Sequence, residues 1–255
     1  MSLQQQYLEA MGIESWQRRD CPIEVPEPAL VATVPVVAES GAPSTVEASS
    51  PVASAPSVQA AEEMVVDVAC MDWDSLRGAV TSCTQCELQD RSQQRLFGAG
   101  AQQATWMIIG GPPGKVETQQ GEPFVDAAGQ LLNAMLAAIG LKRHQVYLTN
   151  LLKCQLEARA PNIEEAASCA PYLLRQIALV QPSVILVMGA VAARHLLKSD
   201  LTAIDALRGS SHTLPGSAIP LVVTYHPADL LRTPADKRKA WQDLQQAQAI
   251  VAQAN

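Results

Sequence analysis

Four of the six cysteines are spaced as ligands: Cys83 and Cys86 in "CTQC", then Cys154 and Cys169 at the two ends of "CQLEARAPNIEEAASC". A C-x2-C pair on a turn presents two thiolates to one metal. Four thiolates suit either a zinc ion or an iron–sulfur cluster. A zinc ribbon more usually repeats C-x2-C in its second half, and this chain does not. Two unrelated pairs of buried thiols are the remaining alternative, and Cys21 and Cys70 are not expected to take part. A second feature is "IIGGPPGKVETQQGEPFVDAAGQLL", residues 108–132, where an apolar run meets a Gly/Pro-rich loop and then Phe124. Only two phenylalanines occur in the chain, so an aromatic placed just after such a loop stands out.

The elements that must position these residues repeat one pattern. Apolar runs at 105–111, 145–152, 183–189 and 220–227 are each followed by helical sequence, roughly 129–140, 163–181, 190–199 and 236–253. Continuous apolar strands alternating with amphipathic helices predict a three-layer α/β/α fold around a central, mostly parallel four-stranded sheet. Ligands of such sheets bind beyond the carboxyl ends of the strands. Those ends carry Gly110-Gly111-Pro112-Pro113-Gly114, Thr149-Asn150, Gly189 and His226-Pro227. The candidate site is therefore assembled from strand–helix loops.

Composition divides the chain in three. Residues 1–20 form a short segment with apolar members Leu8, Met11, Ile13 and Trp16. Residues 21–71 are rich in Pro, Ala, Ser, Val and Glu and read as a disordered linker. Residues 72–255 are the globular part. The whole chain is 48% hydrophobic and 4% aromatic, so the core must be built from Leu, Val, Ile and Ala. No run of eighteen apolar residues exists, so no membrane span is expected. The opening residues lack a secretory leader's basic start and apolar stretch, so a reducing, cytoplasmic setting is expected. The net charge of −7 is unevenly spread. Residues 1–75 carry twelve acidic side chains against two basic, while the remainder carries thirteen against sixteen. Only the second part would tolerate a polyanion.

Over roughly residues 76–250 the chain resembles the iron–sulfur, family-four uracil-DNA glycosylases. The resemblance rests on the first C-x2-C, on "GGPPGKVETQQGEPFVDAAGQLL", on "YLTNLLKC", on the fourth cysteine before "PYLL", and on "TYHPADLLR". It implies DNA as partner and a structural 4Fe–4S cluster held by Cys83, Cys86, Cys154 and Cys169. A glycosylase takes its base out of the duplex into a pocket. Phe124 would stack on the flipped uracil, unless it serves only the core. Asn150 would read the pyrimidine edge with an amide donor and acceptor. His226 would stabilise charge on the departing uracil, or simply cap the following helix. The backbone at Gly110 and Gly111 would approach the substrate closely. Leu230, Leu231 and Arg232 resemble the DNA-contacting loop, where an apolar side chain fills the vacated stack.

The loop departs from the family pattern, which usually reads Gly-Glu-Ala-Pro-Gly. Gly111 supplies no carboxylate, Thr118 also replaces a usual acid, and Asp126 stands where a glycine is common. A second resemblance covers residues 3–20, which are similar to the opening peptide of the psi subunit of bacterial DNA polymerase III. It implies docking on the clamp loader through Leu8, Met11, Ile13 and Trp16, with the chi subunit as a further partner of such bodies. Two functions follow. One is a DNA repair hydrolase brought to the replisome by its leading peptide. The other is a psi-type structural subunit, without catalysis, linking clamp loader and chi.

Overall fold

The computed structural model describes residues 68–89, 94–156 and 159–254. The peptide expected at 1–20, with Leu8, Met11, Ile13 and Trp16, and the linker up to residue 67 lie outside the described residues.

Four strands form the parallel centre: β2 (Trp106–Gly110), β3 (Tyr147–Asn150), β4 (Val184–Met188) and β6 (Pro220–Thr224). Two short strands, β1 (Ala99–Gly100) and β5 (Ser211–Thr213), pair antiparallel at the edges. The order is β1-β3-β2-β4-β6-β5, so the expected four-stranded sheet is the core of a six-stranded one. The edge strands escape a sequence reading for a physical reason. One is two residues long, and the other is a polar "SHT" with mostly exposed side chains. Neither carries the apolar run that marks a strand covered on both faces.

Eight helices accompany the sheet among the described residues: α1 (Trp73–Thr81), α2 (Lys115–Gln120), α3 (Ala127–Ala138), α4 (Ile163–Val180), α5 (Ala190–Leu197), α6 (Ile204–Leu207), α7 (Pro227–Arg232) and α8 (Lys237–Ala254). Alternate strand residues serve opposite faces, as the period of two requires. Trp106 and Ile108 join Leu132, Met135 and Leu136 of α3 and Leu244 of α8. Met107 and Ile109 join Leu173 and Ile177 of α4 and Ala192 of α5. Ahead of α1, the 3₁₀ turn Val68–Cys70 lies before the expected start at residue 72, and Val68 and Met71 pack with Leu76 and Tyr172. No described helix is long and apolar enough to cross a membrane.

Local sequence explains the helix starts nearest the strand ends. Asp126 caps α3 by accepting from the N–H groups of Ala128 (2.9 Å) and Gly129 (3.2 Å), a cap worth about 1 kcal/mol. Asn162 and Glu165 form a reciprocal capping box at α4. The Gly/Pro-rich lead hides helix α2 from a sequence reading. Its Glu117 reaches back to the N–H of Gly114 at 2.6 Å. Gly129 lies in the first turn of α3, where alanine would ordinarily be the better helix former. A Cβ there would stand 1.7 Å from the carbonyl oxygen of Phe124, so glycine is required by the close approach.

Candidate active site and cysteine cavity

The register of the sheet sets the site. Gly110 at the end of β2 lies beside Asn150 at the end of β3, while Met188 of β4 lies beside Thr224 of β6. Strand order reverses around β2, the position at which sheets of this kind place ligands beyond their carboxyl edge. Asn150, His226, Gly110 and Phe124 are brought together there.

Asn150 is buried, and its Nδ2 donates to the carbonyl of Gly111 at 3.0 Å. Its Oδ1 is buried and accepts no hydrogen bond. An orphaned buried acceptor costs about 1–3 kcal/mol, and a ligand N–H would remove that cost. A Cβ at Gly110 would stand 2.7 Å from Cζ of Phe124 and 3.4 Å from Nδ2 of Asn150. Glycine thus lets the aromatic ring and the carboxamide close on the same strand end. Nothing lies within 4 Å of a Cβ built on Gly111, so that position is open.

Phe124 is 2% exposed and belongs to the core on the α3 side. It also faces the imidazole of His226 in a stacked arrangement, with ring centroids 5.6 Å apart. The core reading of Phe124 therefore holds, and a base could stack on it only after its covered face opens. Its backbone is left-handed, at φ 53°, unusual for a side chain with a Cβ. Two residues not singled out in the sequence hold it there. Oε1 of Glu117 accepts from the N–H of Phe124, and the guanidinium of Arg143 donates to the carbonyls of Pro123 and Phe124 and to Glu122. Burial pushes the Glu117 carboxyl above its ordinary range, against the two N–H groups and Arg143 that pull it down. The signal for Glu117 was its capping position three residues after Gly114; Arg143 had none. Thr118 is turned away, with its hydroxyl donating to the carbonyl of Gly114 at 2.7 Å.

His226 caps α7: its Nδ1 accepts from the N–H of Ala228 at 3.2 Å. The ring proton then sits on Nε2, which is left to donate. Burial holds this imidazole below the usual histidine range, although the carboxylates of Asp229 and Asp126 pull it upward. The expectation for Leu230 is corrected. Leu230 is 1% exposed and packs in the core, because α7 turns that face inward. Leu231, at 45% exposed, and Arg232, paired with Asp229, are the members of the trio that face solvent.

The four cysteines converge from separate elements. Cys83 and Cys86 follow α1, Cys154 bridges to Arg95, and Cys169 lies within α4. One cavity is lined by all four, with Arg95 and Tyr172 among its other walls. Arg95 pins the first pair by donating to the carbonyls of Thr81 (3.1 Å) and Cys83 (2.7 Å). Burial, then the neighbouring thiols, pushes the Cys154 thiol up to about 11. Thiols so crowded become thiolates readily only around a cationic group. Among the described residues no three Cys, His, Asp or Glu side chains are close enough to grip one metal ion. The donor set is all sulfur and lines one shared space, a set that suits a thiolate-bound metal centre. Cys70 is exposed and lies outside this lining.

The profile of the uracil DNA glycosylase superfamily matches residues 97–245 of this three-layer α/β/α domain. The chain belongs to that superfamily. Within it, the chain is similar to the type-4 uracil-DNA glycosylase of Archaeoglobus fulgidus, with 37% identity over 63% of this chain and 84% of the relative. The type-4 enzyme of Pyrobaculum aerophilum is 34% identical over 68% and 92%, and that of Thermotoga maritima 32% over 68% and 91%.

The depressed His226 pKa has a consequence for stability. The unfolded chain takes up a proton near the ordinary histidine value of about 6.5, whereas the folded chain does so only at lower pH. Stability should therefore fall as pH drops from about 7 towards 5. Urea unfolding of wild type and His226→Gln at several pH values checks this. The variant should lose less stability across that interval, and equal losses would contradict the assignment.

Proposed function

We propose that the domain excises uracil from DNA as a type-4-like glycosylase. The observation that carries the reading is the pairing of Asn150, whose buried Oδ1 accepts no hydrogen bond, with His226, whose Nε2 is left as donor, beside Phe124. A flipped uracil offers an N3–H to the Asn150 acceptor and an O2 to the His226 donor. As the bond between uracil N1 and the sugar C1′ breaks, its electron pair passes to the base, and charge develops on O2. A neutral imidazole, kept so by burial, donates to that oxygen without itself losing a proton. Water then attacks C1′, and its proton leaves to solvent.

Gly111 gives no carboxylate to position that water, so the loop backbone does so alone and the reaction is slow. Cys83, Cys86, Cys154 and Cys169 would hold a 4Fe–4S cluster, whose supply is structural: hydrolysis needs no electron transfer. The fit of an all-sulfur cavity and the type-4 relatives support this. Leu231 and Arg232 are the solvent-facing candidates for contact with DNA.

Uracil release from single- and double-stranded DNA by anaerobically purified protein tests the proposal. Wild type should release uracil, His226→Ala should lose about 10²–10³-fold, as when one charge-stabilising donor is removed, and Gly111→Glu should be faster. Iron and sulfide should be present in equal amounts and be lost in Cys154→Ser. No release by wild type or Gly111→Glu would overturn the reading. Release by Gly111→Glu alone would favour the alternative, a pocket retired from catalysis in a psi-type subunit.

The replisome connection rests on the sequence pattern of residues 1–20. Leu8, Met11, Ile13 and Trp16 are proposed to dock on the clamp loader, a lone Trp being a common interface anchor. Trp16→Ala should abolish capture of purified clamp loader without affecting uracil release. Undiminished capture would reject the docking peptide.

A further inference from the structure

Lys153 stands between the two sites, and no role has been given to it so far. Its side chain is 2% exposed. The ammonium donates to Oγ1 of Thr149 and Oε1 of Gln176, both at 2.6 Å, to the carbonyl of Asn150 at 3.1 Å and, more distantly, to the carbonyl of Phe97. Three N–H donors thus face four acceptors, the most distant being the carbonyl of Phe97 at 3.5 Å, and none of the acceptors carries a charge. An ammonium at this depth costs several kcal/mol, and a methionine or leucine of similar volume would avoid the cost. Packing alone does not explain a lysine here.

The main chain of the same residue faces the other way. Its N–H donates to Sγ of Cys169 at 3.3 Å, and its neighbour in sequence is Cys154. Lys153 therefore touches the cysteine cavity with its backbone and the base of the pyrimidine-reading residue with its side chain. The peptide plane between Asn150 and Leu151 is clamped at both ends. The N–H of Leu151 donates to the carbonyl of Gly110 at 2.9 Å, and the carbonyl of Asn150 accepts from Lys153. The carboxamide of Asn150 is itself held on Gly111. Three bonds thus set where the Asn150 acceptor points, and Lys153 makes the one that comes from the cysteine side.

We propose that Lys153 is a positioning residue that couples the cysteine-held group to base recognition, by fixing the Asn150 peptide so that its carboxamide meets uracil. This rests on the functional reading above. Gln176 and Thr149 share the task by orienting the ammonium. Gln176 is tied in turn to the carbonyl of Phe97 (2.7 Å) and the hydroxyl of Tyr147 (3.1 Å). The coupling is thus built into α4 and β3 rather than into a loop.

The test compares iron-loaded wild type, Lys153→Met and Thr149→Val. Each is titrated with duplexes bearing non-cleavable 2′-fluorodeoxyuridine or 2′-fluorodeoxycytidine, and with undamaged duplex. Lys153→Met should lose about tenfold or more in uracil-over-cytosine preference, the equivalent of one well-placed hydrogen bond. Thr149→Val should lose less, and both should keep wild-type affinity for undamaged duplex and wild-type iron content. A general loosening would weaken all three duplexes alike. Unchanged preference in Lys153→Met overturns the proposal. Should that variant fail to fold, unchanged preference in Thr149→Val overturns it instead. A preference that falls only in proportion to lost iron also overturns it, by confining Lys153 to the cysteine cavity. A wild type with no uracil preference overturns the functional reading itself, and the proposal with it.

Discussion

The register between β2 and β3 is the constraint on which the rest depends. It sets Gly110 opposite Asn150 at the carboxyl edge of a sheet buried on both faces. A slip of one residue would turn the whole of β3 over and send the Asn150 side chain to the other face. The apolar runs on either side forbid the slip, since Met107, Ile108 and Ile109 are all completely buried. Gly110 completes the arrangement by lacking a Cβ where the Phe124 ring arrives. Hydrophobic burial thus fixes a polar group to within a hydrogen bond's tolerance.

Around that edge, polar side chains are spent on holding backbone. Glu117 and Arg143 fix the left-handed Phe124, Lys153 fixes the Asn150 carbonyl, and Arg95 fixes the Cys83 turn. Each is a charged group binding main-chain atoms in a partly or wholly buried place, where such bonds are stronger than neutral ones. Loops with glycine and proline cannot set their own course by propensity. Here they are held from outside.

The sequence showed the layered fold and the four central strands because each strand is a continuous apolar run, and it grouped Asn150 and His226 because both stand at strand ends. The cysteines could be counted and spaced, and the structure gathers them around one cavity. What it hid was contact-dependent. The edge strands have no hydrophobic pattern, α2 sits behind a Gly/Pro lead, and the inward turn of Leu230 depends on how α7 lies on the core. Two adjacent leucines in "PADLLR" look alike until one face of the helix is chosen. Glu117, Arg143 and Lys153 read as ordinary surface charges in the chain, since nothing in one dimension says that a carbonyl waits for them.

A crystal structure of the iron-loaded protein with free uracil tests the central claim most directly. The account predicts uracil at the carboxyl edge of β2 and β3, stacked on an uncovered Phe124. Its N3–H should lie on Asn150 Oδ1 and its O2 on His226 Nε2. Uracil bound elsewhere, or an empty strand edge at saturating ligand, would contradict it.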